Sequence, residues 1–413
     1  MAVEYVPRLV DPLVSQILAD FPALLVLGPR ATGKTTTAAR HAQTVIRLDQ
    51  PGRAASVRAD PDAALRGLAE PVLIDEWQLA PEVLGAVKRS VDRDARPGRY
   101  LITGSVRAAL EADTWPLTGR AVRIQMWGLV ERELSGDRSR PTVLDALASE
   151  EVGRLVVPPE PPDLRDYVEL AVRGGFPELL RRGTASARRR WLNSYVDELL
   201  TRDAEELEPG RDPDRLRQYL LAWAINTAGV TDHTALYESA GVSRLTALAY
   251  DRLLGNLLVT ETVPAWSSSR VKRLTRMPKR FVTDPGIACA LLGVDTEGVL
   301  ADGDLLGRVV ETLVLAQLRA ELPLSDLNPR LHHLRTEKGR QEVDLVVEYG
   351  AGRVVGFEIK AKAAPTQRDA RHLGWLRDEL GDRFVHGVVL HTGPAIYPLG
   401  DQITAVPICA LWA

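Results

Sequence analysis

Five short apolar runs punctuate the first 134 residues: "ALLVLG" from Ala23, "TVIRLD" from Thr44, "PVLIDE" from Pro71, "RYLITGS" from Arg99 and "AVRIQMW" from Ala121. Stretches of helical periodicity separate them. Strands that alternate with helices predict a parallel sheet with crossover helices. The pattern then changes. Residues 135–162 are rich in Pro, Gly, Ser and acids ("LSGDRSRPT", "VVPPEPPD") and read as a loose linker. Helical patterns dominate residues 163–300. In residues 301–413 a helix leads into two strands, and the chain closes in another α/β alternation. The expected fold class is α/β, in three domains joined in that order.

Length supports more than one domain, because 413 residues exceed what a single simple core accommodates. The apolar fraction of 45% and charged fraction of 26% are those of an ordinary globular protein. A net charge of -3 rules out a polycation that coats nucleic acid, so any basic surface has to be local. Cys289 and Cys409 are the only cysteines, too few for a disulfide framework or a cysteine zinc site, which fits a reducing cytoplasm. "MAVEYVPRLVDPL" carries acids and no long apolar core, so it does not read as a signal peptide. No apolar run approaches the roughly 20 residues that cross a bilayer. The expectation is a soluble, cytoplasmic protein without a membrane partner.

The first candidate chemistry lies after the first apolar run. Gly28, Pro29, Arg30, Ala31, Thr32, Gly33, Lys34 and Thr35 complete G-x-x-x-x-G-K-T, and Thr36 continues into helix-forming sequence. The strand-to-helix context is what gives this pattern meaning. Glycines let backbone N–H groups curl around phosphates, and the helix start adds partial positive charge. Lys34 would reach the β- and γ-phosphates of ATP, and the Thr35 hydroxyl would ligate Mg²⁺. A Gly-rich turn with a solvated lysine is the plain alternative, which the flanking elements argue against. "PVLIDE" then ends in Asp75 and Glu76, ~40 residues after the loop, at a strand end where ligands gather in open α/β sheets. Asp75 would hold the magnesium through water, and Glu76 would polarise the attacking water. Thr103 and Ser105 end the fourth run, where a hydroxyl could sense the γ-phosphate or simply form a polar strand terminus. Arg120, in "PLTGRAVRI", could stabilise transition-state charge in cis or across a subunit boundary of a homo-oligomer, or form a structural salt bridge.

Within 163–300, a helix at about His233–Ser239, the corner "AGVS" with Ser243 as N-cap, and a helix from Arg244 predict a helix-turn-helix. The strand-like "LLVTETVPA" follows, as in a winged helix. Arg270, Lys272, Arg273, Arg276, Lys279 and Arg280 come next without an intervening acid, the composition of a basic wing for DNA or RNA phosphates. Winged helices also serve as protein-interaction modules, and both readings stay open. "GGFP" at Gly174–Pro177 reads as a structural turn.

The last candidate site is "EVDLVVEYGAGRVVGFEIKAK". Asp344 lies on one strand; Glu358 and Lys360, two apart, project from one face of the next. The "YGAGR" turn makes the strands antiparallel neighbours. A D…E-x-K set of this kind suits a nuclease, whose carboxylates hold Mg²⁺ or Mn²⁺ beside the scissile phosphate. Glu311, inside the apolar helix "LGRVVETLVLAQL", is either a further metal ligand or a solvent-facing acid. The bland reading of the hairpin is a set of paired surface charges, for example Glu358 with a nearby lysine.

The stretches "LGPRATGKTT", "VLIDEWQLAPEVL", "YLITGS", "PLTGRA", "YVELAVRGGFPELL", "SYVDELLTRD", "AGVSRLTALAYDRLLGNLLV" and "QEVDLVVE…GFEIKAK" run in order over nearly the whole chain. Together they resemble the prokaryotic AAA-type ATPases fused to a C-terminal domain of unknown function. The resemblance implies architecture and ATP use rather than a biological role. It divides the chain into a phosphate-loop ATPase domain at 1–134, the linker 135–162, a helical region with a winged helix at 163–300, and a domain similar to the restriction-endonuclease-like fold at 301–413. Two functions follow as expectations: an ATP-powered enzyme acting on nucleic acid, or a nucleotide-dependent switch whose last domain is catalytically inactive and binds a protein partner.

Overall fold

The computed structural model describes residues 5–105, 116–134, 138, 140–149, 155–181, 183–268, 277–336 and 339–413. The chain forms two compact units. One comprises Met1–Leu129 with Phe176–Leu180 and Leu253–Leu258; the other comprises Val130–Gly175, Arg181–Arg252 and Val259–Ala413.

In the first unit all five apolar runs become strands: β1 (Ala23–Leu27), β2 (Thr44–Arg47), β3 (Val72–Asp75), β4 (Tyr100–Gly104) and β5 (Ala121–Gln125). They lie in the order β2-β3-β4-β1-β5, and every pairing is parallel. β1, β3 and β4 are buried along their whole length, as expected of continuous apolar runs in a parallel sheet. The helix Val83–Arg93 buries Val83, Leu84, Ala86, Val87 and Val91, a helical-period stripe. Those residues share one core with Leu25, Leu27, Ile74 and Ile102. The parallel order sends every carboxyl end to one edge. Gly28 leaves β1 there, and Asp75 closes β3 with only β4 between them.

In the second unit, the stretches expected as two domains, 163–300 and 301–413, both contribute to one apolar cluster. Tyr167, Val168 and Ala171 of the helix Leu164–Arg173 pack in one cluster with Phe281, Cys289, Val310 and Leu345. Both stretches lie in the second unit, apart from Phe176–Leu180 and Leu253–Leu258. The expected loose linker is corrected in part. Val143–Ala148 is a helix, capped by Thr142, whose Val143, Leu144 and Leu147 are buried. Glu321 accepts from the Val143 N–H at 2.9 Å and pairs with Arg132 at 2.6 Å, both inside the protein. The apolar "VLDALA" outweighed the Pro- and acid-rich flanks.

Helices His233–Ser239 and Arg244–Asn256 follow as expected, and Ser243 Oγ accepts from Thr246 N–H at 3.2 Å. β6 (Thr260–Val263) and β7 (Lys279–Val282) then form an antiparallel ribbon. The order helix, corner, helix, ribbon is that of the sequence expectation. Arg270, Lys272, Arg273 and Arg276 lie outside the described residues. Gly174 adopts φ +73° at the "GGFP" turn, and Gly175 N–H donates to Asp284 Oδ2 at 2.8 Å. The six-stranded sheet comprises β8 (Arg330–Arg335), β9 (Glu342–Glu348), β10 (Val354–Lys360), β11 (Phe384–His391), β12 (Tyr397–Gly400) and β13 (Ile403–Pro407), in the order β12-β13-β11-β10-β9-β8. β9 is antiparallel to β8 and β10, whereas β10, β11 and β13 run parallel. Cys289 and Cys409 are buried and free. Among the described residues no helix is long and apolar enough to cross a membrane.

Candidate functional sites

The phosphate loop is shaped by close approaches that explain its glycines. A Cβ on Gly28 would sit 2.0 Å from the Met126 carbonyl oxygen, and Gly33 has φ +95°, a left-handed conformation that glycine adopts freely. Arg8, buried, holds the loop from outside: its Nη1 donates to Thr32 O at 2.8 Å and its Nη2 to Trp127 O at 2.7 Å. Thr32 Oγ1 and Lys34 Nζ both donate to Pro29 O at 2.8 Å. Lys34 is only 4% exposed. Burial pushes its ammonium down to about 8; Glu76 and Asp75 pull the other way, and Arg30 adds to the depression.

Asp75 and Glu76 stand beside this loop. Asp75 Oδ1 accepts from Thr35 Oγ1 at 2.7 Å and from Thr103 Oγ1 at 2.5 Å. Glu76 turns out of β3 in a left-handed conformation, φ +56°. Its Oε2 accepts from Gln78 Nε2 and, at 3.1 Å, from Ser105 Oγ. Gln78 also donates to Ser105 Oγ at 3.1 Å, so the three side chains form a clasp. The expected residues Gly28 to Thr36, Asp75, Glu76, Thr103 and Ser105 are thus gathered on one edge of the sheet. The donor set fits magnesium and a phosphate chain: a hydroxyl and a carboxylate lie side by side, and a buried cation rests on a neutral carbonyl. Arg8 and Gln78 were not anticipated, since nothing local in the sequence ties Arg8 to the loop.

Arg120 is elsewhere. It precedes β5, whose Ala121 pairs with Ala23 at the start of β1. β1 is five residues long, so the loop is roughly 16 Å away along the strand direction. Arg120 is instead ion-paired with Asp92. This corrects the in-cis expectation, because the side chain sits at the opposite end of the sheet from its own loop.

The second unit assembles a different group. Asp344 on β9 and Glu358 and Lys360 on β10 do converge. Asp344 Oδ2 accepts from Ile359 N–H at 2.8 Å and lies 3.7 Å from Lys360 Nζ. Lys360 Nζ donates to Glu358 Oε2 at 2.6 Å. Glu311 is not solvent-facing; it is buried in the helix Gly303–Glu321 and ion-paired with Lys279. Lys279 Nζ also lies 3.4 Å from Asp344 Oδ1. Burial opposes the charge on Lys279, but Glu311 and Asp344 outweigh it and raise its pKa. Lys360 is raised likewise by Asp344 and Glu358 against burial. Burial alone would raise Asp344, yet the two lysine cations and the Ile359 N–H hold it below the usual carboxylate range.

Two expectations are corrected here. Glu311, Asp344 and Glu358 do not form a metal-ligand set as arranged, because lysine ammonium groups pair with each of them. Among the described residues no group of three or more His, Cys, Asp or Glu side chains is placed to hold a metal ion. Lys279 and Arg280 do not belong to an exposed basic wing. Lys279 is part of this cluster, and Arg280, 6% exposed, donates to Thr231 O and packs over Trp223. The signal for Lys279 was available: two residues before Phe281, it shares that residue's core-facing side of the strand.

Residues 20–135 match the family model of an AAA domain. Residues 164–298 and 306–411 match two families described as domains of unknown function, DUF8612 and DUF4143. The uncharacterized proteins Rv2008c of Mycobacterium tuberculosis and Mb2031c of Mycobacterium bovis are each 29% identical over 391 residues, covering 94% of this chain and 80% of theirs. The Walker-type ATPase PABY2304 of Pyrococcus abyssi superposes with a TM-score of 0.43 at 15% identity, over 68% of this chain and 94% of that one. The AAA match supports an ATP-binding ATPase domain in the first unit.

Proposed function

We propose that the chain is a magnesium-dependent ATP hydrolase whose second unit is a nucleotide-controlled module that docks a protein partner. The observation that carries the first half is the 2.7 Å hydrogen bond between Thr35 and Asp75 beside a buried Lys34 that rests on a carbonyl. Residues Gly28 to Thr36 wrap the phosphates, and Lys34 exchanges Pro29 O for phosphate oxygens. Magnesium, when bound, would supply charge neutralisation to the phosphate chain, and Thr35 and Asp75 would hold it. Glu76 orients the attacking water and takes its proton, which requires the clasp with Gln78 and Ser105 to open. Ser105, freed in the same movement, reports on the γ-phosphate. Arg120 contributes only across a subunit boundary of a homo-oligomer. Lys34→Ala is expected to weaken ATP binding at least 100-fold, about 2.7 kcal/mol, read by fluorescent-nucleotide titration with magnesium. Unchanged affinity would remove the loop from the mechanism.

For the second half, three observations favour a switch over a nucleic-acid enzyme. Two cations of the expected basic wing are buried. The helix Arg244–Asn256 exposes Leu245 and Leu248, at 80% and 44%, apolar surface suited to a protein partner. Each carboxylate of the D…E-x-K set is paired with an ammonium group. The winged helix and the restriction-endonuclease-like domain then serve as binding surfaces. Incubation with Mn²⁺ and single- and double-stranded DNA and RNA, with and without ATP, tests this. No cleavage is expected; cleavage lost in Glu358→Ala would restore the nuclease reading.

A further inference from the structure

Lys279 opens β7 and its side chain is 2% exposed. The ribbon that carries it is fastened to the edge strand β8: Trp266 N–H donates to His333 O at 2.6 Å, and His333 N–H donates to Pro264 O at 3.0 Å. Lys279 Nζ is ion-paired with Glu311 and stands 3.4 Å from both the carbonyl and the Oδ1 of Asp344. A lysine ordinarily keeps its ammonium in water, and burial is tolerated only with charge partners. Here the partners are the carboxylates that a divalent ion would use. Glu358, 2% exposed, keeps its Oε1 buried without a hydrogen-bond partner among the described residues. Glu311 Oε1 likewise has no hydrogen-bond partner among the described residues and is met only by the Lys279 ion pair.

We propose that the Lys279 ammonium group takes the place of a divalent cation among Glu311, Asp344 and Glu358, so that the second unit is built to work without a metal. The chemistry differs accordingly. An ammonium group neutralises carboxylates but offers no open coordination position, so it cannot lower the pKa of a bound water or clamp a phosphate as a metal does. Lys279 comes from a separate ribbon rather than from β9 or β10. The cluster therefore ties the ribbon, the helix Gly303–Glu321 and the central sheet into one charge-paired joint.

The inference rests on reading the second unit as a module that does not cleave, and its test is separate from the nuclease assay. Manganese is titrated calorimetrically into the full chain without nucleotide, with thermal melting alongside. The wild type is expected to bind no Mn²⁺ at a site that Asp344→Asn removes. Lys279→Met is expected to gain one site, at least tenfold tighter than any seen in the wild type, and to melt at higher temperature with Mn²⁺. Adding Asp344→Asn should cancel both gains. If Lys279→Met does not fold, Lys279→Gln, which keeps a hydrogen-bond donor beside Glu311 and Asp344, takes its place. A wild-type Mn²⁺ site that Asp344→Asn abolishes, or a folded Lys279 variant that binds Mn²⁺ no better than the wild type, overturns the proposal. Manganese-dependent cleavage by the wild type, lost in Glu358→Ala, would instead sink the switch reading itself.

Discussion

The two charged sites use the same side chains in opposite ways. Around the phosphate loop, Lys34 and the acids Asp75 and Glu76 are held apart, and each is satisfied by a neutral group: Pro29 O for the lysine, the Thr35 and Thr103 hydroxyls for Asp75, Gln78 and Ser105 for Glu76. In the second unit, Lys279 and Lys360 bond directly to Glu311, Asp344 and Glu358. The lysine of the first site is pushed down by burial, whereas those of the second are raised by their acids. A site that waits for a charged ligand keeps its cation and anions mutually unspent. A site that is closed on itself pairs them.

Removing the lysines separates the two cases most sharply. Lys279→Met strands Glu311 inside the protein without its counter-ion and leaves Asp344 only the Lys360 cation, which should cost about 3–5 kcal/mol in stability. Lys34→Met, in ligand-free protein, removes a buried cation that has no carboxylate bonded to it. That change should be neutral or stabilising, on the order of 1–3 kcal/mol at pH 7. Urea midpoints of the two variants against the wild type decide it. Shifts in the same direction would erase the distinction between an open and a closed site.

The first site was legible in the sequence because its residues are local to recognisable elements. The loop follows one continuous apolar run, and Asp75 ends another; a parallel sheet brings such ends together without further information. The second site was legible only in half. Asp344, Glu358 and Lys360 lie on neighbouring strands joined by a short turn, so their convergence could be read. Lys279 comes from a ribbon 65 residues before Asp344, and its row of basic neighbours disguised it as surface charge. Burial there is decided by tertiary packing, which composition does not report. The same holds for Val143–Ala148, where a short apolar helix lay hidden between polar flanks, and for Arg8, whose loop contact spans 24 residues.

A second test concerns turnover. If Glu76 acts on water and not on ATP itself, Glu76→Gln should slow hydrolysis on the order of 100-fold while leaving the ATP dissociation constant within about threefold, which is under 1 kcal/mol. The matching change in the closed site, Glu358→Gln, should leave ATP turnover unaltered, since no step of hydrolysis uses that carboxylate. Phosphate release measured at saturating MgATP reads both. Equal loss in the two variants would mean that the second cluster supports the ATPase, and the contrast between the sites would lose its basis.

The smallest effect is also the most specific to the open site. Lys34 in the ligand-free protein is pushed down to about 8 by burial, so it loses its proton as pH rises through that value. Bound phosphate favours the ammonium form and raises the pKa, so binding above pH 8 must be accompanied by proton uptake. ATP affinity is therefore independent of pH below about 7.5 and falls toward tenfold per pH unit above about 8, equivalent to about 1.36 kcal/mol per unit. Lys34→Met should flatten this slope as well as lower affinity. Lys279 and Lys360, raised by their acids, keep their protons over the same interval, so thermal stability conferred by the closed site should not follow the curve. Calorimetric titrations of MgATP between pH 7 and 9.5, in two buffers of different ionisation enthalpy, measure the proton uptake directly. Release of protons, or none exchanged, would mean that Lys34 is already charged before the nucleotide arrives, and that burial has not prepared it in the way the carbonyl contact implies.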